Sequence, residues 1–175
     1  MKNAFKLAIK LLIICVISAG ALALVYNKTQ PVIEEMKREK LKSNLRSVFK
    51  NAVRFETIKE DTLWHAFDES DSLIGVAFKA YPRGYGGPIE TLVGVKLDGK
   101  ITGIIIASPS EGLKETPGLG LKVREKWFTD QFVEKKKEDL LLKKDGGTLD
   151  AITAATISSR AVVRGVADGL ERYLK

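Results

Sequence analysis

The 175-residue sequence contains one cysteine, Cys15, and one histidine, His65. A single cysteine excludes an intrachain disulfide and any CxxC redox or metal pair. A single histidine excludes a multi-histidine zinc site and an HExxH helix. It also leaves a Ser-His-Asp or Cys-His hydrolase only one side chain to be built around. No metal ligand set is expected, and no residue is assigned a catalytic acid–base role. Aromatic residues are scarce, at 7%, and none interleaves with a basic stripe, so nucleic acid is not an expected partner. The longest basic run, Lys135-Lys136-Lys137, is followed at once by Glu138 and Asp139 and reads as a solvated face. His65, beside Trp64 in a strand-like run, reads as structural or exposed.

Charge is absent altogether from Leu11 to Tyr26. Sixteen helical residues reach about 24 Å at ~1.5 Å each, and starting at Leu7 brings the segment closer to the ~30 Å hydrocarbon core. Lys10 then lies inside it, where its aliphatic stem can run along the helix and carry the ammonium to the interface. Lys2, Lys6 and Lys10 precede or begin the segment, and no acid occurs before Glu34. The positive-inside bias therefore predicts a cytoplasmic N-terminus with the bulk of the chain outside. Ala21-Leu22-Ala23 would suit signal cleavage; the expectation is a retained single-span anchor, in which Cys15 behaves as a small hydrophobe.

Beyond the anchor, the texture is that of a globular domain, and its remaining basic excess is mild. After a break at Asn27 to Pro31, Val32 to Val53 is charged with Ile33, Met36, Leu41, Leu45, Val48, Phe49 and Ala52 near helical spacing, which predicts an amphipathic connecting helix. Short runs rich in β-branched and aromatic residues follow: Leu63–Phe67, Leu73–Tyr81, Ile89–Leu97 and Ile101–Ala107. Asp98-Gly99-Lys100 between the last two is a hairpin signal. A Gly/Pro loop over Lys114–Gly120 leads to an amphipathic segment, Val123–Leu142, with Trp127, Phe128 and Phe132 as expected core anchors. Asp150–Lys175 reads as a final helix, with Ile157, Ala161, Val162, Val166, Leu170 and Leu174 on one face. Strands in the middle and helices at both ends predict an α+β domain, an antiparallel sheet flanked by helices. The expected boundaries are 1–27 for the N-terminus and anchor, 28–58 for the connecting helix and 59–175 for the domain.

Two local patterns can carry chemistry. In Lys114-Glu115-Thr116-Pro117-Gly118-Leu119-Gly120, Pro117 fixes its own φ and the glycines permit close backbone approach, so the loop can lie against a planar ligand or simply end a meander. In Asp150-Ala151-Ile152-Thr153-Ala154-Ala155-Thr156-Ile157-Ser158-Ser159, Asp150 or Thr153 can serve as an ordinary N-cap. The same helix start offers unpaired N–H groups that favour a phosphate. Thr156 would place a hydroxyl there, Ala154 and Ala155 would leave it accessible, and Ser158 and Ser159 would add donors.

Taken together and in order behind a single N-terminal span, KETPGLG, then Trp127 and Phe132, then DAITAAT resemble the FMN-binding domain family. The resemblance is in particular to the G subunits of Rnf-type (Rsx) ferredoxin:NAD oxidoreductase complexes, relatives of the C subunit of sodium-translocating NADH:quinone reductase. The segment Gly84-Tyr85-Gly86-Gly87-Pro88-Ile89 and the Asp98–Lys100 turn resemble family features too. The resemblance implies one FMN per chain, esterified through its phosphate to Thr156 by a separate flavin transferase that uses FAD and magnesium. The flavinylation motif would start at Asp150. Glu115, Thr116, Leu119 and Gly120 would line the isoalloxazine, and Thr153, Ala154, Ala155, Ser158 and Ser159 would surround the phosphate. It further implies a bacterial inner-membrane protein with its domain outside the cytoplasm. The protein would relay electrons among the other membrane subunits of a complex coupled to Na⁺ or H⁺ translocation, with lipid around its span, and would not be catalytic alone. The competing expectation is a membrane-anchored scaffold or sensor of the same fold without redox function.

The pattern departs from the family at two places. The family's SGAT is here Thr153-Ala154-Ala155-Thr156, so a requirement for positive φ at 154 would strain alanine. Lys114 stands where the family often has histidine.

Overall fold

The computed structural model describes residues 2–174, with side chains from residue 6 onward. It divides into two units, Met1–Lys42 and Ser43–Lys175.

Helix α1 (Lys2–Val48) supplies the whole of the first unit and its last turns enter the second. The break expected at Asn27–Pro31 does not occur, and the helix ends at Val48 rather than Val53. Pro31 removes only the hydrogen bond to the Asn27 carbonyl, on an exposed surface. The turn around it is held by side chains: Thr29 Oγ1 donates to the Val25 carbonyl at 3.0 Å and Gln30 Nε2 to Glu34 Oε1 at 2.8 Å. α1 contains one segment long and apolar enough to cross a membrane. Leu11, Ile17, Leu22 and Leu24 are all exposed, as a span whose solvent is lipid requires.

In the second unit, five strands form an antiparallel meander in sequence order: β1 (Arg54–Lys59), β2 (Leu63–Phe67), β3 (Leu73–Ala80), β4 (Thr91–Lys96) and β5 (Ile101–Ile106). β1 lies outside the expected strands; its alternation is masked because it is an exposed edge strand carrying charge on both sides. Its backbone pairs Phe55 with Ala66 and Thr57 with Trp64, and the Arg54 guanidinium lies 4.1 Å over the Phe67 ring. Period-2 alternation places Phe78, Val93 and Ile104 opposite one another on one face. The other face presents Gly75, Gly94 and Gly103, which make room for Phe49 and Val48 at the end of α1.

The segment Val123–Leu142, expected as one amphipathic helix, is instead a chain of short turns. Only α2 (Lys126–Thr129) is α-helical, between single 3₁₀ turns at Gly120–Arg124, Asp130–Phe132 and Lys137–Asp139. Sheet-edge pairing overrides helix propensity here. Glu134 adopts φ +61°, its N–H donates to the Ile101 carbonyl at 2.8 Å, and Ile101 N–H donates to the Lys135 carbonyl at 3.0 Å. The outer edge of β5 is thereby paired at Ile101, its first residue. Phe128 and Phe132 are fully buried as expected, whereas Trp127 is 47% exposed, its indole donating to Glu125.

α3 (Thr156–Tyr173) lies across the sheet, burying Val162, Val163, Val166 and Leu170 in the core with Phe78 and Val93. It begins six residues later than the expected Asp150, and Ile157 is 55% exposed rather than on the buried face. Its approach to β3 depends on two glycines: a Cβ at Gly165 would meet Pro82, and one at Gly169 would collide with the ring of the fully buried Phe78. Gly169→Ala is expected to destabilise the domain by about 2 kcal/mol through this overpacking, read as a lowered thermal midpoint.

Candidate functional site

The start of α3 is an uncommon helix terminus. Asp150 and Thr153 do not cap it. Asp150 is fixed beforehand by its backbone N–H, which donates to Gln131 Oε1 at 2.6 Å, and its carboxylate pairs with Lys143 at 2.8 Å. The N-cap is Ala155, with no side-chain cap. The first backbone bond of the helix runs from Ser159 N–H to the Ala155 carbonyl at 3.0 Å, so the N–H groups of Thr156, Ile157 and Ser158 have no intrahelical acceptor.

Ala154 sits at φ +62°, the left-handed region in which a Cβ costs about 1 kcal/mol. The strain that positive φ at position 154 would impose on alanine is therefore present. It is maintained by Ser159, whose hydroxyl receives the Ile152 N–H and donates to the Ala155 carbonyl, both at 3.0 Å. This closes the turn Ile152–Ala155 from inside. Ala154→Gly is expected to raise stability by about 1 kcal/mol, measurable by denaturant titration.

Thr156 is the first residue of α3, half-buried, with exposed Thr153 and Ala154 before it. Lys144 Nζ lies 3.2 Å from Thr156 Oγ1. One helical turn along, Arg160 is clamped by both oxygens of Asp145 at 2.7 and 2.8 Å. The bond to Arg160 holds the Asp145 carboxyl below its ordinary range, with the charge of Arg164 adding to the effect. The pair therefore stabilises the fold above the usual Asp titration range and loses that contribution only as pH falls through the lowered value. Lysine and arginine thus flank the hydroxyl. No local signal in the sequence marks this arrangement, because Lys144 and Asp145 belong to a 3₁₀ turn (Lys143–Asp145) remote from the motif.

The Lys114–Gly120 loop reaches the same place through Glu115. This residue is only 5% exposed, its carboxylate accepting from Gly86 N–H at 3.1 Å and from Ser158 Oγ at 2.7 Å. Three glycines surround it: a Cβ on Gly84 or Gly120 would strike the Glu115 side chain, and one on Gly86 would strike the Lys114 carbonyl. Glu115 thus ties the Gly84–Ile89 loop to the first turn of α3. Thr116 is exposed, as is Leu119 at 41%, and both offer surface beside this strut.

The expected site residues therefore separate. Thr156, Thr153, Ala154, Thr116 and Leu119 are accessible, and Ala155 and Gly120 are buried backbone positions. Ser158 and Ser159, expected as donors to a ligand, are buried with their hydroxyls engaged internally, and Glu115 is a buried strut. Among the described residues, no cluster of His, Cys, Asp or Glu could hold a metal ion. Cys15 is exposed on the apolar run of α1.

Residues 84–171 match the FMN-binding domain family and residues 1–48 the RnfG N-terminal region. The chain belongs to the RnfG family. It is 34% identical to the G subunit of the proton-translocating ferredoxin:NAD(+) oxidoreductase complex of Clostridium ljungdahlii, over 96% of this chain and 90% of that one. It is 33% identical to the G subunit of the Na(+)-translocating ferredoxin:NAD(+) oxidoreductase complex of Acetobacterium woodii, over 98% and 92%. Among solved structures, the C subunit of the Na(+)-translocating NADH-quinone reductase from Parabacteroides distasonis shares the fold, with a TM-score of 0.50 at 21% identity over 65% of this chain and 60% of that one. The RnfG assignment joins the two ends of the molecule: the apolar helix belongs to one matched region and the Thr156 helix start to the other.

Proposed function

We propose that this RnfG-family protein is the electron-carrier subunit of a membrane ferredoxin:NAD oxidoreductase complex coupled to Na⁺ or H⁺ translocation, and that it holds FMN as a phosphoester on Thr156. The observation that carries the reading is the accessible Thr156 hydroxyl at an uncapped helix start, 3.2 Å from Lys144 Nζ. These residues fit a phosphate: the open N–H groups and the helix dipole favour the anion, and Lys144 adds a cation beside the single negative charge of the phosphodiester. Small, exposed Thr153 and Ala154 admit the hydroxyl to a modifying flavin transferase, with Asp150 six residues upstream.

FMN, when bound, can exchange one or two electrons, and that chemistry belongs to the cofactor. The chain's own part is retention and placement. The ester makes retention independent of affinity, the Ile152–Ala155 turn fixes the direction of the hydroxyl, and the Glu115 strut holds Thr116 and Leu119 beside it. Leu119 and Ile157 offer exposed apolar surface to a planar ring. No acid–base pair is required for this task. The charge pattern before the span supports an N-terminus in the cytoplasm and a domain outside the inner membrane, with the span among lipid and the other subunits.

The test is denaturing electrophoresis of the chain produced with and without a flavin transferase. A fluorescent band only with the transferase supports the reading; a colourless band in both contradicts it and leaves an anchored scaffold.

A further inference from the structure

An open groove of about 740 Å³ runs beside α3, bounded by the end of β3 and the Tyr81–Arg83 connection. Six cationic side chains line it, Lys59, Lys79, Arg83, Arg160, Arg164 and Arg172, against one acid, Asp168. Two of the six are already paired, Lys79 with Glu90 at 2.8 Å and Arg160 with Asp145 at 2.7 Å. Arg83, Arg164 and Arg172 form no ion pair among the described residues. Positive charge is in excess here: even after the Lys79–Glu90 and Arg160–Asp145 pairs and Asp168 are set against the six cations, the groove keeps a net positive charge on a chain that carries only +7 over 175 residues. Its near end is formed by Ile157 and Arg160, within about one turn of Thr156.

We propose that this groove is the docking surface for an acidic electron-transfer surface of another subunit, which it brings against the flavin end of α3; the inference rests on the reading of Thr156 given above. Shape and spacing select this occupant. Arg160, Arg164 and Arg172 recur along one stripe of the helix over about 18 Å at ~1.5 Å per residue, too far apart to converge on one phosphate group. A concave wall does not match a bilayer, which is flat on this scale, but it does match a convex protein segment carrying Asp and Glu. Complementary charge of this kind sets encounter rate and orientation more than tight affinity, and that suits partners that must separate after each transfer.

The test uses the complete membrane complex. Arg164→Glu combined with Arg172→Glu is expected to lower ferredoxin-dependent NAD reduction at low salt by at least about tenfold. Its flavin fluorescence per chain should be unchanged. Raising ionic strength should slow the unaltered complex and leave the double variant nearly insensitive. Arg164→Lys with Arg172→Lys keeps the charge and is expected to keep the rate. In parallel, a photoreactive phenylalanine analogue in place of Asp168 should cross-link to an Asp/Glu-rich peptide of another subunit, and about 0.5 M salt should suppress the adduct. That arm decides the matter if the charge-reversed chain does not assemble. An unchanged rate in an assembled reversal variant overturns the proposal. So does a cross-link to lipid, to a small phosphate compound or to a non-acidic peptide. A cross-link of the expected kind on a chain that stays without flavin even when produced with the flavin transferase would refute the Thr156 reading and leave the groove's protein contact standing.

Discussion

Thr156→Ala is expected to abolish flavin fluorescence in the denatured chain completely while leaving the domain folded. The side chain is half-buried, and its one side-chain hydrogen bond is the 3.2 Å contact from Lys144. Truncation there should therefore change stability by no more than about 0.5 kcal/mol. Thr156→Ser keeps the oxygen and should still accept the modification, though the missing methyl loosens the rotamer and slows the reaction. The pair of variants separates loss of the nucleophile from disturbance of the helix start. The readout is in-gel fluorescence, with circular dichroism as the check on folding. A fluorescent band in Thr156→Ala would move the attachment to another residue.

The second large effect belongs to Glu115. Glu115→Ala removes the acceptor for the buried Ser158 Oγ and for the N–H of the exposed Gly86, and opens space among Gly84, Gly86 and Gly120. One orphaned buried donor and a cavity together predict a loss of about 2 kcal/mol, a fall of roughly 7 °C in the thermal midpoint of a domain this size. Glu115→Gln retains an acceptor for Gly86, and its amide can donate to Ser158 instead, so about 1 kcal/mol is expected. Measured on the flavin-free chain, these shifts separate a structural strut from a side chain that serves only to contact the ring. In the latter case neither substitution would move the midpoint without flavin.

Sequence periodicity is sufficient where one physical effect dominates. The uncharged run of α1 is plain because a lipid-facing helix needs apolar residues all round. β2 to β5 are plain because buried strands demand β-branched and aromatic residues and turns demand Asp-Gly. Legibility fails where tertiary contacts outweigh local preference. β1 is an edge strand whose charges hide its alternation. The Val123–Leu142 stretch has helical spacing, yet Glu134 at φ +61° turns it onto the β5 edge. Pro31 reads as a helix end because a sequence cannot show that its lost bond falls on an exposed turn. At the site, the motif identifies the accessible residues Thr156, Thr153 and Thr116. It does not reveal that Ser158, Ser159 and Glu115 spend their polar atoms on one another and on backbone, because those bonds span up to 43 positions. Lys144 and the Asp145–Arg160 clamp are invisible for the same reason.

The most direct measurement of the central claim is peptide mapping by mass spectrometry of the chain isolated from its native membrane complex. The account predicts one riboflavin-phosphoryl group, with fragmentation placing it on Thr156 in the peptide that spans Asp150 to Arg160. An unmodified Thr156 peptide, with flavin either absent or released intact on denaturation, would contradict it.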